Sequence, residues 1–321
     1  MKAIYQTQYG KSDVLQYGVQ PSPRLKANEI RIKNYATSVN PRDWLIRSGK
    51  YQLQMLVPSL PLILGSDFAG EIVEIGSKVK DFKVGDKVFG MKNPSEGLAT
   101  YAEEVVAPAK NTALIPSDTS YTEAAGVPLC SLTAWQALVQ KAVIKKGHKV
   151  LIIGGSGGVG SFAVQIAKAL GGEVTAVCSQ KNIAMVTDLG ATKVIDYQQQ
   201  DFLKIDARYD IIFDTIGRHD LGKCSPIMNP AGTYVSTVPS PKNLKAMVAT
   251  KIQSLFFKAC KKAVVVMVKS DASDLEQVTK LISVGSVKPV IDQIFPLQQA
   301  SQAHDHSRSL RAKGKIILEI Q

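Results

Sequence analysis

Lys149-Val-Leu-Ile-Ile-Gly-Gly-Ser-Gly-Gly-Val-Gly-Ser-Phe-Ala-Val-Gln-Ile-Ala-Lys168 is the stretch that decides the fold. An apolar run, Val150–Ile153, leads straight into Gly155-x-Gly157-x-x-Gly160, and a helical pattern follows, with Val159, Phe162, Ala163, Ile166, Ala167 and Leu170 on one face. Dinucleotide binding needs that order. The first glycine makes a tight turn, the second lets backbone approach a pyrophosphate, and the third lets the helix pack on the strand. The phosphate then meets the positive end of the helix dipole. Gly155, Ser156, Gly157, Gly158, Val159 and Gly160 are therefore the candidate cofactor loop. Alone, a GxGxxG is weak; set between strand and helix it is specific. Gly154-Gly-Ser-Gly-Gly158 also meets the spacing of a nucleophile elbow, but the phosphate loop explains it without a nucleophile.

Downstream, strand-like and helical segments alternate. The strand candidates are Val150–Ile153, Glu173–Cys178, Lys193–Asp196, Tyr209–Asp214, Gly232–Val238 and Ala263–Val268. Crossover helices between strands imply an α/β, doubly wound parallel sheet of the Rossmann type. Upstream, residues 1 to 120 are β-rich, with short alternating runs at Ile30–Asn34, Gly70–Val73 and Lys87–Gly90 separated by turn signals such as Val84-Gly85-Asp86. That pattern predicts a small barrel or sandwich. Helices are expected at Thr122–Val127, Thr133–Lys141 and Ser273–Val284, and a strand at Gly314–Ile320. The tail is too short for a domain, so it should return to the first. The expected division is residues 122–268 for the nucleotide domain, with 1–121 and 269–321 forming a substrate domain split in sequence.

The end of the second strand selects the cofactor. An NAD site presents an acid there, about 20 residues beyond the glycines, to bind the ribose hydroxyls. Here Thr175-Ala-Val-Cys178 runs into Ser179-Gln180-Lys181, with no acid before Asp188. A hydroxyl and an ammonium suit a 2′-phosphate, so Ser179 and Lys181 point to NADP(H).

Composition narrows the class. At 45% hydrophobic and 21% charged, the chain is globular. No segment reaches the ~18 apolar residues of a membrane span. Met1-Lys2-Ala3-Ile4-Tyr5 reads directly into strand-like sequence, which predicts no leader and a cytoplasmic address. Cys130, Cys178, Cys224 and Cys260 are widely scattered, as in a reducing compartment, with no metal-ligand spacing. The net charge is +12, but its lysines and arginines are dispersed, so no nucleic-acid partner is expected. His304-Asp305-His306, in a polar stretch, reads as a solvated turn or helix surface rather than a metal site.

Beyond the glycine loop, the chain carries Ser38-Val-Asn-Pro-Arg-Asp43, Leu64-Gly-Ser-Asp-Phe-Ala-Gly-Glu-Ile-Val73, Val84-Gly-Asp-Lys-Val88, Ser131-Leu-Thr-Ala-Trp135 and Gly314-Lys-Ile-Ile317. In this order the set resembles the medium-chain dehydrogenase/reductase superfamily, in particular its zinc-free quinone oxidoreductase branch, and is similar to the chloroplast-envelope quinone oxidoreductase homologues. The resemblance implies a GroES-like β-barrel domain, split in sequence, joined to a Rossmann domain. It places Asn40 beside the nicotinamide or the substrate and Tyr51 in the acceptor pocket. By the same resemblance Thr133 begins a helix near the nicotinamide, Tyr197 flanks the adenosine phosphate, and Lys315 is a further cofactor contact. Thr215 and Ile216 follow the fourth strand, where Rossmann sheets place their cofactor crevice. Asp43 and Asp67 read as supporting groups. The positions where zinc-dependent relatives hold their catalytic metal correspond to Asn40, Ser66 and Leu129, and the lobe that carries structural zinc is missing; no metal is expected.

Without a Lewis acid, ionising an alcohol is hard, but hydride can pass to an already electrophilic carbon. The expected activity is therefore NADPH-dependent reduction of a small apolar acceptor, a quinone or an α,β-unsaturated carbonyl, with Asn40 and Tyr51 as catalytic candidates. The apolar segment Gln52–Leu60 is expected to line or lid the acceptor pocket. Alternatives are an alkenal or enoyl-thioester reductase, or a protein that binds NADPH without turnover. Family resemblance also implies a homodimer through the last Rossmann strand, Ala263–Val268; lysines 258, 261 and 262 beside it could instead face a membrane surface.

Overall fold

The computed structural model describes residues 1–257 and 259–321; Lys258, one of the lysines considered above for a membrane surface, lies outside the described residues. Two compact units emerge: Met1–Leu129 with Lys269–Ser283 and Pro289–Gln321, and Cys130–Val268 with Val284–Lys288.

In the second unit, six strands, Lys149–Ile153, Glu173–Cys178, Lys193–Asp196, Tyr209–Asp214, Met228–Ser236 and Lys262–Val265, form one sheet. All pairings are parallel. Numbered one to six along the chain, they lie in the order 3-2-1-4-5-6. Val150, Leu151 and Ile152 are fully buried, as the near-continuous apolar runs of a sheet covered on both faces require. Strand one is central, so the loops after strands one and four leave the sheet side by side, at the point where the order reverses. The last strand is shorter than expected. After Val265 the Val266 N–H still donates to Ser236 O at 2.9 Å, and Met267 is exposed.

The helix Gly158–Ala169 is buried nearly all round, not on the single face its apolar spacing suggested. The extra cover involves Gln165, whose side chain donates to Lys288 O (3.0 Å) and accepts from Lys288 N (2.9 Å). That two-point clamp accounts for the grouping of Val284–Lys288 with this unit. The helix expected at Thr133–Lys141 is instead an α-helix at Pro128–Trp135 running into a π-helical turn at Gln136–Lys141.

The first unit is organised on the long strand Glu29–Val39. One edge pairs antiparallel with Asp67–Ile75; the other pairs with Glu104–Pro108 and then Lys315–Glu319. Lys87–Met91, Thr112–Leu114 and Ile291–Pro296 complete seven strands. A small sheet of Gln16–Val19, Lys2–Gln6 and Leu62–Ile63 accompanies it. Two apolar clusters fill the unit: Ile30, Ile32, Phe68, Ile72 and Val105 in one, and Ile4, Val39, Ile46, Leu64 and Leu318 in the other. The C-terminal strand returns to this unit, as its shortness implied.

Thr122–Leu129, placed with the nucleotide domain on sequence grounds, packs with the first unit instead. The helix Tyr121–Ala125 lies on the strands Glu29–Val39 and Asp67–Ile75. Tyr121 stacks on Tyr35 with ring centres 4.6 Å apart, and Leu129 N donates to Asp67 Oδ1 at 2.8 Å. The sequence pattern marks helical stretches, and the packing decides to which core they belong.

Candidate active site

In the second unit the glycine loop follows Ile153. The N–H groups of Gly154 and Gly155 both donate to Val177 O, at 3.0 and 2.9 Å, which bends the chain sharply after the strand. Gly160 is obligatory for a steric reason: a Cβ there would lie 2.0 Å from Gly154 O. Gly157 differs. A Cβ on it would meet nothing closer than Gly154 O at 3.6 Å, so the loop presents open backbone there. The space fits a diphosphate approaching main-chain amides at the start of the twelve-residue helix Gly158–Ala169. Ser156 Oγ accepts from Asn182 Nδ2 at 2.9 Å, and the Oδ1 of Asn182 is buried without a partner. Asn182 escaped the sequence reading because an asparagine in a lysine-bearing loop looks solvated; its spacing of three from Ser179 was the only clue.

The residues expected around this loop fall into two groups. Thr215 and Ile216 close over Gly154, where a Cβ would meet Ile216 Cδ1 at 2.6 Å and Thr215 Oγ1 at 2.7 Å. They are held by Asp214, whose buried carboxylate accepts from the N–H groups of Ile216 (3.0 Å), Gly217 (2.8 Å) and His219 (3.0 Å). Burial alone would raise the Asp214 carboxyl, but the hydrogen bonds of His219 and Gly217 outweigh it and hold it below the ordinary range. Ser179 precedes the short turn Gln180–Asn182 beyond the second strand, and the exposed Lys181 lies within it. Tyr197 is half-exposed after the third strand, its N–H on Cys178 O at 3.2 Å. Burial, with Asp196 adding, pushes the Cys178 thiol up to about 11. Thr133 is buried in the helix Pro128–Trp135.

In the first unit, Asn40 is 1% exposed and precedes the helix Pro41–Arg47. Its Oδ1 accepts from Lys315 Nζ at 2.5 Å, and its Nδ2 donates to Asp67 Oδ2 at 2.9 Å. Asp67 also accepts from Ser38 Oγ and lies 3.6 Å from Lys315 Nζ. Behind this group runs a second chain of buried bonds. Asn40 N donates to Asp43 Oδ2 (2.8 Å), Tyr101 OH donates to the same oxygen (3.1 Å), and Tyr101 OH meets His304 Nε2 (3.1 Å). His304 Nδ1 meets Arg47 Nη1 at 3.1 Å. Burial raises the Asp43 carboxyl to about 6 against the opposing pull of Arg42 and the Asn40 N–H. Burial, with the Arg47 charge adding, depresses His304 to about 3, so its imidazole is neutral. Tyr51 is half-buried against the apolar cluster of Ile4, Val39 and Leu64. Of Gln52–Leu60, only the partly buried Val57 and Leu60 join that cluster, whereas Met55 is exposed.

The surface placement expected for His304 is therefore wrong. It is fully buried, and Arg47 and Tyr101 satisfy both ring nitrogens. The helix Ala300–Arg308 buries Ala300, Ala303, His304 and Ser307, an inward stripe whose small side chains concealed it from any hydropathy average.

The donor set at the positions corresponding to a catalytic zinc site does not fit a divalent cation. Asn40 carries the Lys315 ammonium, Ser66 Oγ accepts from Arg42 Nε at 2.9 Å, and Leu129 offers no ligand side chain. Two fixed positive charges already occupy those donors.

Family comparison agrees with this architecture. Residues 26–117 match the alcohol dehydrogenase GroES-like domain, and residues 189–318 match the family described as zinc-binding dehydrogenase. The chain belongs to the medium-chain dehydrogenase/reductase superfamily, with a GroES-like domain and a Rossmann-like parallel sheet. Within it, the chain is 35% identical over 329 residues to the chloroplast envelope quinone oxidoreductase homologue of Arabidopsis thaliana, covering 99% of this chain and 98% of that one. It is 30% identical to 2-methylene-furan-3-one reductase of Solanum lycopersicum, covering 99% of this chain and 79% of that one. Escherichia coli quinone oxidoreductase in complex with NADPH superposes with a TM-score of 0.84 at 26% identity, covering 99% of this chain and 100% of that one.

Proposed function

We propose that this chain is an NADPH-dependent reductase that delivers hydride to the electrophilic carbon of a quinone or an α,β-unsaturated carbonyl without a catalytic metal. The observation that carries the proposal is the glycine loop: Gly160 pressed against Gly154 O, open backbone at Gly157, and Ser179 with Lys181 beyond the neighbouring strand. NADPH, when bound, supplies the hydride. The loop amides of residues 155–160 hold its diphosphate, Ser179 and Lys181 take the 2′-phosphate, and Tyr197, Thr133, Thr215 and Ile216 pack around its other parts.

Hydride addition at carbon leaves negative charge on the acceptor oxygen, and a proton must follow. The buried ammonium of Lys315, held by Asn40 and Asp67, provides positive potential that costs no reorganisation during the reaction. Asn40 and Tyr51 are the proposed catalytic contacts, one placing an amide and the other a phenol beside the acceptor. Lys315 and Arg42, seated on the candidate ligand positions, support chemistry without zinc. Relatives named for a quinone and for a methylene-furanone support both acceptor classes.

A homodimer built on the edge strand Lys262–Val265 and a reducing, cytoplasmic compartment complete the proposal; Cys178 and Cys224 are buried thiols outside any disulfide. The deciding experiment is a rate screen of NADPH and NADH against quinones, enones and enoyl thioesters, with metal analysis of the same sample. Turnover with NADPH on a quinone or enone in metal-free protein is expected. Cofactor binding with no turnover across the panel would replace the proposal with a non-catalytic NADPH-binding role, and turnover on thioesters alone would reassign the acceptor.

A further inference from the structure

We infer that the outer face of the helix Pro241–Phe256 docks this protein reversibly on an anionic phospholipid surface. The inward side of this helix is fastened by polar groups rather than apolar ones. Asn243 Nδ2 donates to Ser236 Oγ and to Val238 O, both at 3.1 Å, and Thr250 Oγ1 accepts from Ala263 N at 3.1 Å. The large apolar side chains point the other way. Leu244, Val248, Ile252 and Leu255, spaced by four, four and three residues, fall on one stripe that Phe256 borders, and Phe257 follows the helix. Leu255 is 78% exposed, Phe256 76% and Phe257 61%. A helix of a globular protein ordinarily turns such a stripe to its own core; this one turns it outward.

Charge identifies the occupant. Lys251 lies on one flank of the stripe, Lys242 and Lys245 on the other, and the exposed Lys262 follows the helix. From Leu221 to Ser270 there are eight lysines and not one aspartate, glutamate or arginine. A basic amphipathic helix with leucine and phenylalanine on its apolar face seats that face at the acyl boundary, while its lysines meet lipid phosphates. A second copy packed stripe to stripe would bring Lys245 and Lys251 of both chains into one contact, with no acid in the segment to offset them. The edge strand Lys262–Val265 remains available for pairing in the plane of the sheet, since the stripe faces away from the sheet.

Flotation of the full-length protein tests this, using vesicles of phosphatidylcholine alone and of phosphatidylcholine with about one third phosphatidylserine. The protein should float with the anionic vesicles at low salt, stay behind with the neutral ones, and be released by about 0.5 M salt. Leu255→Ser/Phe256→Ser and Lys245→Glu/Lys251→Glu should each lower the bound fraction about ten-fold. Thermal unfolding should be unaltered in both, because all four residues are exposed. Native protein that fails to float with anionic vesicles, or variants that float as well as it does, would overturn the proposal. So would a Leu255→Ser/Phe256→Ser variant that turns from dimer to monomer in light scattering, which would assign the stripe to a second copy.

Discussion

Lys315 Nζ donates to Asn40 Oδ1 at 2.5 Å, joining residues 275 positions apart in the chain. Asp67 completes the group, its Oδ2 taking the Asn40 amide at 2.9 Å. One ammonium, one amide and one carboxylate, all buried, hold each other in place.

Removing the ammonium should therefore expose the cost of a lone buried carboxylate. Lys315→Met is expected to destabilise the protein by about 3–5 kcal/mol in urea unfolding. Adding Asp67→Asn should recover part of that loss. A double variant no better than Lys315→Met would show that packing of the lysine stem, not charge, dominates.

Asn40→Ala and Tyr51→Phe should each lower kcat about ten-fold or more while leaving NADPH affinity near its native value. Single-turnover and fluorescence titration measurements separate the two quantities. If neither variant loses turnover, the acceptor does not meet these side chains.

Lys181→Glu places a carboxylate where the 2′-phosphate is proposed to lie. NADPH affinity should fall by about 100-fold and NADH affinity by less than about three-fold. Equal losses would mean that Lys181 is an ordinary exposed loop lysine.

Gly160→Ala should abolish cofactor binding, because the added methyl would sit 2.0 Å from Gly154 O and force the loop outward. Strain of on the order of 1–3 kcal/mol should appear in thermal unfolding as well. Gly157→Ala, with its nearest neighbour at 3.6 Å, should fold normally yet still weaken NADPH.

Acid stability should depend on His304. Burial lowers its pKa from 6.5 to about 3, so the unfolded chain takes up a proton that the native protein excludes. Its contribution is therefore lost as pH falls from 6.5 toward 3. Asp43 acts in the opposite sense: raised from 3.8 to about 6, it contributes stability below 3.8 that is lost as pH rises to 6. His304→Gln removes only the first effect. Relative to the native protein, the variant should gain on the order of 3 kcal/mol between about pH 7 and about pH 4 in chemical denaturation. A constant difference across that range would mean the imidazole is accessible to protons in the folded state.

Much of the nucleotide-binding half was legible before any coordinates. Alternating strands and helices, and glycines placed between Ile153 and Phe162, are local signals, since each depends on neighbours within a turn or two. The limits of those signals are equally physical. A helix was expected at Thr122–Val127 and one forms at Tyr121–Ala125, but to which core it belongs was settled by Tyr121 on Tyr35 and by Leu129 on Asp67. The edge strand looked longer because Val266, Met267 and Val268 are apolar, although among the described residues the strand ends at Val265.

By itself, then, the sequence determined that a glycine turn would follow Ile153 and lead into a helix, because glycine's missing side chain governs the chain's path at the residue where it occurs. Tertiary structure alone decided that Lys315 would reach Asn40, that His304 would be buried between Arg47 and Tyr101, and that the apolar stripe of Pro241–Phe256 would face outward. Such pairings carry no signature in either partner's own neighbourhood. They come into being only when segments hundreds of residues apart fold against each other and each buried polar group must find another to satisfy it.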